Sequence, residues 1–266
     1  MVTGVPGGRA RSALAGGPAA RFADVRWVAT TGSTNADALQ LARDGAPEGV
    51  VVVADHQTAG RGRRGRVWEA PPGASLLVSV VLRPPAPLVE AVTMAVGVAA
   101  AEAVEAVAGF APRLKWPNDL VWEDRKLAGI LAEADWPAAG PPAVVVGIGI
   151  NVAWPAELPA DLAEIAVAGN HVTGREVDRE TLLVALLERL EAWYGPMVAS
   201  GDVAPLRAAW RARSATLGRR VRVDLGPAVV EGVAEDVTAE GHLVVRTDGG
   251  DRRAITTGDV VHLRDV

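Results

Sequence analysis

Apolar residues in this chain fall into two textures, and the change between them marks its organisation. Up to about residue 216, long apolar runs alternate between strand and helix character. Asp24–Ala29 reads as a first strand. Thr30–Asn35 then offers caps for a helix carrying Ala38, Leu39, Leu41 and Ala42. Gly49–Ala54 and Ser75–Leu82 suit buried strands, the second closed by Pro84-Pro85. Residues 88–110, rich in Ala and Val, predict a long buried helix. Lys126–Glu133 alternates as a strand, and Ala143–Ile150 is a β-branched core strand ending in glycines. Asp178 opens an amphipathic helix through Trp193 with Leu182, Leu183, Leu186, Leu187 and Leu190 at helical spacing, and a further helix covers about Val203–Arg213. From Gly218 the strands turn short, separated by Gly, Pro and Asp turns. The pattern predicts an α/β domain over 23–216, a small β-barrel over 217–266, and a disordered tail over 1–22 that contains no acidic residue.

Composition narrows the chemistry. With 266 residues, 49% hydrophobic and 22% charged, the chain is an ordinary globular protein. A net charge of −5 argues against general nucleic-acid binding. The absence of cysteine removes thiolate catalysis, disulfides and cysteine-ligated metals, and fits a cytoplasmic setting. No apolar run approaches the roughly 20 residues of a membrane span. Only two lysines stand against 25 arginines, and both lie in motifs, Lys115-Trp-Pro-Asn-Asp and Lys126-Leu-Ala-Gly-Ile-Leu. A compact ammonium with rotatable donors suits phosphate or carboxylate oxygens where a rigid guanidinium does not.

The densest motif is Gln57-Thr-Ala-Gly-Arg-Gly-Arg-Arg-Gly-Arg-Val-Trp68. Four arginines (61, 63, 64 and 66) within six residues, interleaved with Gly60, Gly62 and Gly65, predict a loop that is mobile when empty and ordered by an anion. Trp68 offers a flat face for a purine. Gly60-x-Gly62-x-x-Gly65 matches the dinucleotide-binding pattern. However, Val-Trp-Glu-Ala-Pro-Pro-Gly follows instead of a helix, and no acid lies between Glu69 and Glu90. Lys115 can balance charge building on a carboxylate or phosphoryl oxygen, with Asn118 and Asp119 placed to orient a Mg²⁺-nucleotide. Lys126 reads as the start of a strand, whose Gly129 leaves room for a ligand. Gly147-Ile-Gly-Ile-Asn151 allows close approach, with Asn151 able to read a purine edge.

In this order, these motifs and Gly32-Ser-Thr-Asn35 resemble the biotin protein ligases from about residue 24 onward. The chain looks like the shorter, ligase-only form, for which no N-terminal DNA-binding module is expected. The resemblance implies a class II aminoacyl-tRNA-synthetase-like mixed sheet with flanking helices, followed by an SH3-like barrel. It also implies adenylation of biotin by Mg·ATP and transfer to a lysine of a biotin carboxyl carrier protein, from an acetyl-CoA or acyl-CoA carboxylase or a pyruvate carboxylase. By motif, Ser33, Thr34 and Gln57 would hold the biotin rings, while Gly60, Gly129, Gly149 and Ile150 would line the pocket. Arg61, Arg63 and Lys115 would serve the reacting carboxylate and phosphate. Arg64, Arg66, Trp68, Asn118 and Asn151 would bind nucleotide, and Asp119 is the candidate near Mg²⁺. The competing readings are a lipoate or octanoate ligase or transferase of the same fold and, in another class, a non-catalytic nucleic-acid-binding protein.

Overall fold

A continuous apolar strand needs cover on both faces, and Ser75–Leu82 (β3) is buried at all eight positions. The computed structural model describes residues 6–136, 142–160 and 162–263. In it, β3 sits inside a seven-stranded sheet with β1 (Val25–Thr31), β2 (Val51–Gln57), β4 (Arg113–Lys115), β5 (Asp119–Trp122), β6 (Arg125–Asp135) and β7 (Ala143–Asn151). Strand order is β1-β2-β3-β7-β6-β5-β4. Only the β1–β2 pair is parallel, so the sheet is mixed.

The helices divide between its faces. Two helices, α3 (Val92–Ala108) and α5 (Arg179–Ser200), pack on one side over Leu76, Val78, Val144, Val146 and Ile148. On the other side α2 (Thr34–Arg43) lays Ala38, Leu39 and Ala42 against Val50, Val52, Val81 and Val145. Because α2 is only ten residues long, it leaves part of its face open, and the candidate site lies there. Past the helix predicted to end at Trp193, α5 runs on to Ser200 with Pro196 inside it. No helix among the described residues is long and apolar enough to cross a membrane.

Five strands follow, β8 (Arg220–Asp224), β9 (Val229–Val237), β10 (Leu243–Thr247), β11 (Arg252–Ile255) and β12 (Asp259–His262). They form the small antiparallel β unit expected from the sequence, in the order β11-β10-β9-β8-β12. It is fastened to the large sheet: Trp116 donates its indole N–H to the Gly241 carbonyl at 2.9 Å and its backbone N–H to Thr216 Oγ1 at 3.0 Å.

The tail expectation needs correction from residue 6 onward. Residues 8–15 form α1, with Ala10 and Leu14 fully buried one turn apart, and Phe22 follows in a 3-10 turn at 0% exposure. The Glu180 carboxylate, at the start of α5, accepts from the backbone N–H groups of Gly7 and Ala10. It thus satisfies donors that a helix start leaves open. Residues 1–5 lie outside the described set.

Candidate active site

Register builds the floor of the site. Across β3, β7 and β6, Leu77 pairs with Gly149 and Gly149 with Gly129; two positions along, Ser79 pairs with Gly147 and Gly147 with Leu131. Adjacent glycines leave a bare patch on the face that α2 does not cover. What occupies the missing Cβ positions differs. A Cβ at Gly147 would lie 2.0 Å from Asn35 Oδ1, and one at Gly149 would lie 2.6 Å from the Trp68 ring.

The start of α2 forms one wall. Ser33 stands at the N-cap but makes no side-chain cap bond. Instead Gln57 Oε1, from the end of β2, accepts from the Thr34 backbone N–H at 2.7 Å and from Thr34 Oγ1 at 2.9 Å. That substitution leaves Ser33 to the cavity, which Ser33, Thr34 and Gln57 all line. Asn35 is buried. It receives a hydrogen bond from Ser79 Oγ at 2.6 Å and donates to Glu133 Oε2 at 2.8 Å.

The arginine loop forms the other wall as a small hairpin. Gly62 N–H donates to Arg66 O, Trp68 N–H donates to Gly60 O, and a 3-10 turn over 63–65 makes the tip. Gly60 supports this crossing, since a Cβ there would lie 2.3 Å from the Trp68 carbonyl oxygen. Arg61 pairs with Glu133 at 2.9 Å. Arg64 and Arg66 both pair with Asp259, at 3.2 and 2.8 Å. Arg63 has no carboxylate partner among the described residues. Its guanidinium donates to neutral oxygens, Thr257 Oγ1 at 2.7 Å, Asn118 Oδ1 at 3.3 Å and the Gly258 carbonyl. Burial lowers its pKa from the ordinary arginine value, opposed by Asp259. A half-buried, charged donor without an anion is where an anionic ligand gains most.

The structure separates the two motif lysines and does not bring Lys115 to the cavity. Lys115 lies on β4, the sheet edge three strands from β7, and is absent from the cavity lining. Its charge acts on His262 of the small β unit. That imidazole is pushed down to about 4, by burial first and then by Lys115 and Arg219. Lys126 lines the cavity. Its ammonium pairs with Asp119 at 2.7 Å and sits 5.5 Å from the Trp68 ring centroid, within cation–π range.

Alternation alone would put Lys126 and Gly129 on opposite faces of β6. A bulge intervenes: Leu120 pairs with Ala128 but Val121 pairs with Lys126, skipping Leu127. Such an extra residue re-aims a side chain, and Lys126 Nζ ends 3.1 Å from where a Gly129 Cβ would stand.

Other expected site residues divide the same way. Gln57, Ser33, Thr34, Arg61, Arg63, Arg66, Trp68, Asn118, Gly129 and Gly149 converge on the cavity, whereas Gly60, Arg64, Asn151 and Ile150 do not line it. Asn151 is buried with both ends of its amide engaged, accepting from Ser75 Oγ and donating to the Val167 carbonyl. Its amide is held inside the protein, away from the cavity lining. Ile150 belongs to the core on the α3 face. Asn118 is held differently from its expected role, donating to the Ile130 carbonyl while accepting from Arg63. Sequence reasoning missed Glu133, which fixes Asn35 and Arg61 together.

The cavity measures about 120 Å³, below the roughly 300–1,000 Å³ usual for ligand pockets. Trp68 explains the shortfall, lying over the Gly129–Gly149 floor with its indole N–H buried and unpartnered. The chemistry is lopsided. Neutral hydroxyl and amide groups stand at one wall, and Lys126, Arg61, Arg63 and Arg66 at the other.

Comparison with known proteins gives these features a lineage. Residues 27–151 match the biotin/lipoate A/B protein ligase family, and residues 216–263 match the biotin protein ligase C-terminal domain. The chain is 41% identical over 246 residues to a biotin–[acetyl-CoA-carboxylase] ligase of Mycobacterium tuberculosis, covering 89% of this chain and 88% of that one. A second such ligase, from Paracoccus denitrificans, is 37% identical over 88% of this chain and 98% of its own length. Among solved structures, the Aquifex aeolicus biotin protein ligase in complex with biotin and ATP superposes with a TM-score of 0.78 at 27% identity, covering 91% and 99% of the two chains.

Proposed function

Because the chain belongs to the biotin protein ligase family, we propose that its cavity joins biotin to ATP and passes the biotinyl group to a carrier lysine. It is a biotin protein ligase, an ATP-dependent enzyme whose relatives are named for acetyl-CoA carboxylase. In the first step a biotin carboxylate oxygen attacks the α-phosphorus of ATP. The bond to the bridging oxygen breaks and pyrophosphate leaves with its electron pair. In the second, the neutral amine of a carrier lysine attacks the acyl carbon of biotinyl-5′-AMP. AMP leaves and the amine proton passes to solvent.

The observation that carries this reading is the polarity of the cavity. Ser33, Thr34 and Gln57 can hydrogen-bond a neutral ring system at one wall. Lys126 and Arg63 wait with positive charge at the other, where carboxylate and phosphate meet. Fixed charges of this kind stabilise a transition state without reorganising. Lys126, paired with Asp119, acts as a charge and not as a nucleophile. Mg²⁺ fits no cage of the chain's own. No group of three or more His, Asp or Glu side chains able to hold a metal is present among the described residues, and Asp119 is engaged by Lys126. The ion would accompany the ATP phosphates, as is usual for Mg²⁺.

Trp68 must lift from the glycine floor to admit an adenylate, and it then becomes the lid that excludes water from a reactive anhydride. The same proposal includes pyruvate carboxylase carriers as further acceptors, a cytoplasmic setting, and separate catalytic and C-terminal domains meeting near 216–217.

The test is biotin-dependent exchange of labelled pyrophosphate into ATP, with octanoate and lipoate as controls. Exchange should occur with biotin alone. It should fall by about 10²–10³-fold in Lys126→Ala, the size of loss for one preorganised charge donor, and persist in Lys115→Ala. Full exchange in Lys126→Ala would remove that lysine from the chemistry, and exchange with octanoate or lipoate instead would redirect the substrate assignment.

A further inference from the structure

The sequence asks for an anion to order the arginine loop, and the folded chain supplies one from its own C-terminal β unit. Asp259, at the start of β12, receives Arg66 on Oδ1 and Arg64 on Oδ2, while the neighbouring Thr257 and Gly258 receive Arg63. Three loop arginines thus end on one three-residue stretch about 195 positions away in sequence. The tip is a conformation that needs support. Arg64 has φ +56°, in the left-handed region that non-glycine residues rarely adopt, and three guanidiniums crowd within four residues. Burial would raise the Asp259 pKa, but Arg66 and Arg64 outweigh it and hold the carboxyl below the usual range. The pairing does not use up Arg66. One Nη serves Asp259 and Nε serves the Arg63 carbonyl, and Arg66 still lines the cavity.

We propose that Asp259 is a positioning residue for nucleotide use: it tethers Arg64 and Arg66, so that the loop is folded against the cavity before ATP arrives. This rests on the ligase reading of the cavity and adds a task for the C-terminal unit, which holds the loop without touching the reacting atoms. The tether is partly exposed, so it is weak and salt-sensitive. A weak tether suits a loop that must open and close each turnover.

The test compares the parent with Asp259→Asn and Asp259→Glu in the full chain. Limited trypsin digestion without ligand, read by mass at Arg61–Arg66, requires no knowledge of the substrate. The Asn variant should be cut in the loop about fivefold faster, the summed loss of two exposed pairs. The parent should approach that rate as salt rises to about 1 M, and the Glu variant should restore protection. In the exchange assay the KM for ATP should rise severalfold, more than the KM for biotin, and recover in the Glu variant. Unchanged cleavage in the Asn variant would show the contact to be idle. A lower KM for ATP would show Asp259 competing with phosphate instead of helping it; either result overturns the proposal. The cleavage result stands whether or not biotin is the acid, so failure here and failure of the ligase reading are told apart.

Discussion

Two glycines on one strand face, Gly147 and Gly149, should respond to the same substitution in opposite ways. An added methyl at Gly147 would lie 2.0 Å from Asn35 Oδ1, 2.9 Å from its Cγ and 3.1 Å from Ser79 Oγ. Asn35 cannot retreat cheaply. It is buried and pinned by Ser79, Glu133 and the Leu131 carbonyl. Overpacking of about 1–3 kcal/mol, with about 1 kcal/mol for the strained hydrogen bond, gives roughly 2–4 kcal/mol of lost stability. For a chain of this size that is a Tm drop of roughly 5–15 °C. At Gly149 the methyl meets the Trp68 ring, 2.6–2.9 Å away, on a loop that can lift. Stability should change by less than about 1 kcal/mol. The slot, however, is narrowed where a ligand must lie, and the KM for biotin should rise roughly tenfold or more. Thermal unfolding and steady-state exchange on both alanine variants decide it. Equal Tm losses, or a Gly147→Ala protein as stable as the parent, would refute the division of the floor into a structural and a binding half.

Leu14→Ala should cost about 2–5 kcal/mol by leaving a cavity against α5, read by denaturant unfolding; a neutral result would return residues 6–22 to the status of a loose tail. Glu133→Ala strips Asn35 and Arg61 of a shared acceptor, and should cost about 1–3 kcal/mol while raising the KM for biotin; a change in neither would leave Glu133 outside the site. His262 titrates at about 4 in the folded protein, against the ordinary histidine value of 6.5. Arg219 donates to its Nδ1, which leaves Nε2–H for Thr216 Oγ1 and fits the neutral ring. As pH falls, the unfolded chain therefore binds a proton first: this contribution is complete above about pH 6.5 and is lost as pH falls towards about 4, on the order of a few kcal/mol. His262→Gln should flatten stability between those pH values, and an unchanged slope would dismiss the assignment.

Much of the site is legible in the sequence because its residue types are chemically narrow. Gly129 and Gly149 leave space, Ser33, Thr34 and Gln57 offer neutral partners, and the arginines demand an anion; each follows from side-chain chemistry and strand context. The departures share a cause. Asn151 reads as a free amide along the chain, but its partners Ser75 and Val167 become neighbours only when β3 and β7 pair and the chain folds back. Arg64 falls to phosphate on sequence grounds because its carboxylate partner, Asp259, stands 195 positions away in the chain.

By itself, the sequence determined the alternation of elements, the two-part organisation, the buried faces of β3 and α5, and the chemical character of the cavity, since all of these depend on local periodicity and residue type. Only tertiary structure decided which lysine lines the cavity. Lys115 and Lys126 are equivalent as ammonium groups, and strand alternation turns Lys126 away from Gly129. One skipped residue, Leu127, reverses that parity, and no single-strand pattern contains the partner strand that defines a bulge. The tertiary structure likewise chose the loop's anion. A carboxylate on β12 reaches Arg64 and Arg66 because the two parts of the chain pack together, and long-range charge pairing is written in no local stretch of sequence.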